Sequence, residues 1–277
     1  ESGKYEDAVK AFQNALGESI GHIGEKELDI CFYKAKAQAL DGKTKDALAT
    51  YNAIIKYNKD ARAYYLRGDL YMDMGEEKKG RADFESAVQQ GKKNYEIYIG
   101  IYESLSRHEK KDEGQKYLSA AMEIKGDKPE DELYKGRISY LLGENKDAIS
   151  YLEKAKEHKQ MLASYYLGLA YDANGDSDKA KKCIAEYIKS GVATSYDLYE
   201  LGMQEMQDGN YKNALTYFNS GLELEKVPNK QNLMKSAIAA YEYSGDFDSA
   251  KKMMKEYLKA YPDDEEAKHE NTFLETR

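Results

Sequence analysis

Tryptophan is absent from this 277-residue sequence, and there are only three prolines, two cysteines and four histidines. So little proline leaves long stretches without the strongest helix breaker. Cys31 and Cys183 are too few for a disulfide framework, and the sequence spacing predicts that they lie too far apart to pair. They read as small apolar side chains. None of the four histidines (His22, His108, His158, His269) has a cysteine or second histidine at ligand spacing, so no metal site and no cofactor is expected. No run approaches the roughly 18 apolar residues of a membrane span. Positive charge is also short: the formal net charge is −8, and pairs such as Lys110–Lys111 are interrupted by acids. A nucleic-acid partner, which requires clustered cations, is therefore not expected. The compartment stays open: cytoplasmic, or extracytoplasmic if a leader preceded Glu1.

What the sequence has in abundance is charge (33% of residues), tyrosine (26 residues) and glycine (21 residues). Many charges suit solvated helices. Tyrosine suits thin structures, where a ring is buried while its hydroxyl stays near water. Small residues recur at Ala8, Ala47, Gly80, Gly114, Ala148, Ala180, Ala214 and Ala250, at intervals of 39, 33, 34, 34, 32, 34 and 36. Seven of the eight have a glycine five residues earlier: Gly3, Gly42, Gly75, Gly143, Gly175, Gly209 and Gly245. A period near 34 denotes a stack of one repeated unit without a single closed core.

Residues 161–194 show the unit. Leu167, Gly168 and Tyr171 share one helical face, Asn174–Gly175 stops that helix, and Asp176, Ser177 and Asp178 can cap the next. Ala180, Ile184 and Tyr187 then share a face of a second helix. Each unit is thus helix A, a tight turn and helix B, with small residues where A and B cross. The pattern Leu167-Gly168-x-x-Tyr171, then Gly175, Ala180 and Ile184, resembles the tetratricopeptide repeat (TPR) family. Gly68–Tyr71–Gly75–Gly80–Phe84–Ala87, Gly136–Gly143–Ala148–Leu152–Ala155 and Gly202–Gly209–Ala214–Phe218 follow it. So does Tyr241–Gly245–Ala250, with Pro262 closing that unit.

The resemblance implies an all-α, right-handed superhelical solenoid forming one array over 1–277. It divides into a partial repeat 1–27, repeats 28–60, 61–94, 95–128, 129–160, 161–194, 195–230 and 231–262, and a capping helix 263–277. Gly3 is expected in a turn with Tyr5–Leu16 as helix B, and the long first interval predicts an extended loop over Gly17–Lys26. Repeat 95–128 has Glu109 in place of the turn glycine and Tyr102 in place of the small residue of helix A, which predicts looser packing there. The Lys-, Tyr- and Asp-rich make-up resembles that of bacterial members.

Motifs for catalysis do not survive their context. Gly17-Glu18-Ser19-Ile20-Gly21 spells a hydrolase elbow, but that device needs a strand before it. Gly42-Lys43-Thr44 ends like a phosphate loop, yet Ala37 stands where its first glycine belongs. Asp172, Asn174, Asp176 and Asp178 resemble the start of a calcium loop, but Ser177 replaces its glycine and Cys183 its bidentate glutamate. No enzymatic activity is expected.

The resemblance also implies a protein partner bound along the concave face, which helix A lines with its fifth, ninth and twelfth residues. Fifth positions are Phe32, Tyr65, Ile99, Leu133, Tyr165, Tyr199 and Lys235. The Lys/Asn combination with which one subclass grips a chaperone tail's carboxylate is missing. An aromatic and thioether stripe is present instead: Phe32, Tyr65, Tyr140, Tyr165, Leu169, Tyr199, Met203 and Met206 are the candidate peptide contacts. A stripe at helical spacing equally suits packing between helices. A structural scaffold that self-associates through its ends or convex face is the competing expectation.

Overall fold

A computed structural model describes residues 2–18, 23–126 and 128–277. Those residues form sixteen α-helices and no strand. The helices are α1 (Ser2–Glu18), α2 (Glu25–Leu40), α3 (Thr44–Asn58), α4 (Ala61–Asp73), α5 (Glu77–Gln90), α6 (Tyr95–Arg107), α7 (Lys111–Met122) and α8 (Pro129–Leu142). They continue with α9 (Asn145–Glu157), α10 (Leu162–Ala173), α11 (Ser177–Lys189), α12 (Ser195–Gln207), α13 (Tyr211–Leu222), α14 (Lys230–Tyr243), α15 (Phe247–Ala260) and α16 (Glu265–Leu274). The fold is an all-α solenoid.

Local chemistry sets the helix ends. Asp60 accepts from the backbone N–H groups of Arg62 and Ala63, and Thr194 and Asp197 cap α12 reciprocally. Pro129 opens α8, where its missing N–H costs nothing. Gly42, Gly75, Gly143, Gly175, Gly209 and Gly245 all take φ between 74° and 85°, the left-handed turn that ends each first helix. Gly42 thus lies in a helix-ending turn before α3, which removes the phosphate-loop reading.

Two compact units are resolved, residues 1–181 and 182–277. In the first, the core is a series of clusters, each shared by consecutive helices. Phe32, Ala47, Tyr51, Ile54 and Ala63 join α2, α3 and α4. Met72, Phe84, Ala87, Ile101 and Leu105 join α4, α5 and α6, and Tyr98, Tyr102, Leu118 and Ile138 join α6, α7 and α8. In the second unit, Ala214, Phe218, Leu233 and Ala237 link α13 to α14, and Met234, Met254, Tyr257, Ala267 and Leu274 link α14, α15 and α16. Within these clusters each pair of helices buries its apolar side against the next, which is the property that defines a solenoid.

Small residues let paired helices touch. A Cβ on Gly80 would sit 2.7 Å from Met72 Sδ and 3.0 Å from the Gly68 carbonyl oxygen.

Three expectations change. Gly3 lies inside α1 and makes no turn, so α1 is longer than the anticipated Tyr5–Leu16. The extended loop over Gly17–Lys26 is shorter than expected, because Gly17 and Glu18 belong to α1 and Glu25 and Lys26 to α2; Ser19, Ile20, Gly21 and His22 lie outside the described residues. Repeat 95–128 is not loose: α6 buries more residues than any other helix described. Gly114 explains this, because a Cβ there would meet the Tyr102 ring at 3.0 Å. The small residue sits on helix B instead of helix A, and the crossing closes equally well.

Candidate functional site

The first helices of successive pairs lie side by side, α4 against α6 and α8 against α10 in the first unit, and α12 against α14 in the second. The stripe residues lie on α2, α4, α8, α10 and α12. In the first unit, ion pairs join such helices. Arg62 Nη1 lies 3.1 Å from Asp29 Oδ1, joining α4 to α2. Arg107 Nη2 lies 2.5 Å from Asp69 Oδ1, joining α6 to α4. Arg137 on α8 reaches Glu96 at 3.3 Å and Glu103 at 3.0 Å, both on α6, and lies 5.5 Å from the Tyr166 ring centroid on α10. Burial opposes the charge on Arg137, yet Tyr166, Glu96 and Glu103 together hold its pKa above the ordinary guanidinium value.

One cluster escaped the sequence reading. Asp69, Asp73 and His108 bring a ligand atom each to within 4.8 Å of one another. Asp69 and Asp73 are one helical turn apart, and His108 follows Asp73 by 35 residues, about one repeat. Assessing each histidine alone hid this periodic contact. Asp69 is already engaged by Arg107, and His108 Nε2 lies 3.1 Å from Asp73 Oδ1. The cluster therefore acts as a clasp between α4 and α6.

The stripe residues fall into different surroundings. Phe32 is 4% exposed and lies under the Arg62 guanidinium, 4.3 Å from its ring centroid. Tyr65 is half-buried: its ring lies against Gly100 of α6, where a Cβ would meet Tyr65 Cζ at 2.6 Å. Burial, reinforced by Asp69, pushes the Tyr65 hydroxyl well above its ordinary pKa. Tyr140 is half-buried, and its hydroxyl is raised by burial and then by Asp172. Tyr165 packs edge-on against Tyr166 with centroids 5.1 Å apart, and Leu169 is half-buried one turn further along α10.

In the second unit, Tyr199, Met203 and Met206 lie together on α12. All three are half-buried and rest on the Ala214–Phe218–Leu233 cluster. The Tyr199 and Phe218 rings are 6.2 Å apart. Met203 Sδ accepts a weak hydrogen bond from the Ser236 hydroxyl of α14 at 3.6 Å, and Asn229 Nδ2 donates to the Ser195 carbonyl at 3.1 Å. Here thioether and amide contacts take the place of the guanidinium–carboxylate pairs seen in the first unit.

Family models described as tetratricopeptide repeat match residues 1–56 and 32–95 in one case, and 162–190 and 231–264 in another, together more than half of the chain. The chain belongs to the tetratricopeptide repeat family. A search of curated proteins finds no match. Among solved structures, the TPR chain is similar to yeast Tom70, with a TM-score of 0.58 and 14% identity over 99% of this chain and 59% of that one. It thus spans about three fifths of Tom70. It is also similar to a tetratricopeptide repeat protein from Parabacteroides merdae, with a TM-score of 0.52 and 12% identity over 86% of this chain and 93% of that one. At such identities the likeness is one of fold. TPR arrays are protein–protein interaction modules.

Proposed function

We propose that this TPR protein docks an extended or helical apolar segment of a partner protein on the face formed by α12 and α14, with Tyr199, Met203 and Met206 as its main contacts. The observation that carries this reading is the half-buried thioether and phenol surface on α12, where the corresponding face of the first unit is knitted by ion pairs. Methionine adapts to irregular apolar shapes, and tyrosine supplies rigid contact area at low entropic cost. Phe32, Tyr65, Tyr140, Tyr165 and Leu169 are assigned a lesser role, since Phe32 is buried under Arg62, Tyr65 packs against Gly100 of α6, and all five lie in the unit whose first helices are joined by ion pairs. The reading involves no catalysis, cofactor or nucleic acid.

The test is selection of peptides from a displayed library on the purified chain, followed by titration of the selected peptide. Tyr199→Ala and Met203→Ala should each weaken binding by more than ~1 kcal/mol, about fivefold, as interface anchors do. The control Tyr33→Ala, at a ring 55% exposed in the first unit, should leave it unchanged. Unchanged affinity in folded Tyr199→Ala and Met203→Ala proteins refutes the assignment.

A second reading, self-association, draws on a different observation. Tyr243 is 68% exposed and stacks on the half-buried Tyr211 with centroids 5.3 Å apart, beside two turns. Light scattering over a concentration series, repeated with Tyr243→Ser, separates the two readings.

A further inference from the structure

The second unit contains a cavity of about 500 Å³ between α14, α15 and α16, lined by Lys235, Glu242, Tyr243, Tyr257, Glu266 and Glu270 among others. Helix α16 is held over it at both ends by ordinary means. Ala267 and Leu274 are buried with Met254 and Tyr257. Asp264 caps the helix by accepting from the Ala267 backbone N–H at 3.1 Å. Its carboxylate also accepts from the Tyr257 hydroxyl at 2.5 Å and pairs with Lys235 Nζ at 2.8 Å.

Between these anchors the chemistry is unfavourable. Glu242 of α14 faces Glu270 of α16, and the Glu242 Oε1 atom is shut off from solvent with no protein N–H or O–H group donating to it. The charged and titratable groups lining the cavity do not relieve this. Lys235 is committed to Asp264 and reaches Glu266 at 3.7 Å, Glu266 adds negative charge, and Tyr243 and Tyr257 bring no positive charge. A hydrogen bond between Glu242 and Glu270 therefore requires a proton on one of them, and two ionised carboxylates there repel.

We propose that α16 is a proton-controlled latch: it stays docked on α14 and α15 while the Glu242–Glu270 pair holds a proton, and it loosens when both carboxyls ionise.

Burial first, and the Glu270 charge second, push Glu242 from 4.5 up to about 7. The folded value lies above the unfolded one. The contribution to docking is thus complete below about pH 4.5 and is lost as the pH rises through about 7. Asp264 behaves oppositely. The Lys235 ammonium holds it well below the usual carboxylate range, so its contribution is constant across neutral pH. Of these two carboxyl contacts, the Glu242–Glu270 one changes there.

Hydrogen exchange of the whole chain, corrected for intrinsic rates and read on α16 by mass spectrometry at pH 6 and pH 8, tests the latch. Protection of α16 should fall about tenfold between the two, the effect of one carboxyl with a folded pKa near 7. Glu242→Gln should make protection equal at both, and Glu270→Gln, a substitution on the more solvent-accessible helix that serves if Glu242→Gln fails to fold, should shrink the fall, because it removes the facing carboxylate and leaves the burial of Glu242 in place. His269→Asn should leave the fall intact. Equal protection in the wild type, a fall that persists in Glu242→Gln, a fall undiminished in Glu270→Gln, or its loss in His269→Asn overturns the proposal.

Discussion

Substituting Gly202 with alanine tests whether the crossing of α12 and α13 is as tight as the repeat pattern requires. Two effects oppose each other. Alanine is favoured over glycine inside a helix by about 1 kcal/mol. The new Cβ, however, would stand 2.3 Å from Phe218 Cε1, 2.6 Å from Cδ1 and 2.8 Å from Cζ. Carbon atoms pack at about 3.5–4.0 Å, so the ring or the helix must retreat by more than ~1 Å. Phe218 is fully buried, and the Tyr199 ring lies beside it. The cost belongs near the upper end of the ~1–3 kcal/mol typical of overpacking, which leaves a net loss of about 2 kcal/mol. Urea unfolding followed by helical circular dichroism reads it, because stability in a repeat array is a sum of local contributions. The Gly202→Ala/Phe218→Leu double variant should lose at least ~1 kcal/mol less than the sum of its single variants, since the shorter side chain vacates the space. Gly17→Ala is the matched control: no heavy atom lies within 4 Å of the added Cβ, and stability should hold or rise by a few tenths of a kcal/mol, up to about 1. A Gly202→Ala protein as stable as wild type would refute the close-approach argument.

Glu109→Gly should stabilise the chain by roughly 0.5–1 kcal/mol, because Glu109 sits at φ 61°, where a side chain costs more than glycine's extra chain entropy; a thermal melt below wild type would contradict this. Asp83→Ala should destabilise by about 2–4 kcal/mol, since it strands the Arg67 guanidinium, which bonds Asp83 at 2.6 and 2.7 Å with side-chain exposures of only 18% and 8%. Replacing both partners by apolar residues should restore most of that loss, as measured by the same urea titration. The Tyr95 hydroxyl, pushed by burial up to about 12, should stay protonated in spectrophotometric titration until well above the pH at which free tyrosine ionises.

The solenoid was legible because its determinants are local and periodic. A turn glycine at φ 74–85° and a small residue where two helices touch are backbone requirements that recur wherever the unit recurs. The misreadings are instructive for the same reason. Gly3 fits the spacing yet is helical, since a glycine permits a left-handed turn without imposing one. Glu109 breaks the spacing and nonetheless adopts the turn. Tyr102 looked too large for its crossing because the compensating residue, Gly114, lies on the partner helix.

Sequence alone thus determined the helix-pair repeat, its period and the absence of a single closed core. It also narrowed the binding candidates to one stripe per first helix. Only the tertiary structure decided how each stripe residue is spent. Phe32 lies buried beneath a guanidinium, Tyr65 lies against Gly100, and Met203 and Met206 rest half-buried on the Ala214–Phe218–Leu233 cluster. Likewise, Arg137 meets Glu103 and Glu96 from 34 and 41 residues away, and Glu242 meets Glu270 across a cavity. The physical reason is range. Sterics and helix periodicity act over a few residues and are written in order along the chain, whereas charge pairing and burial depend on which repeats stand next to each other.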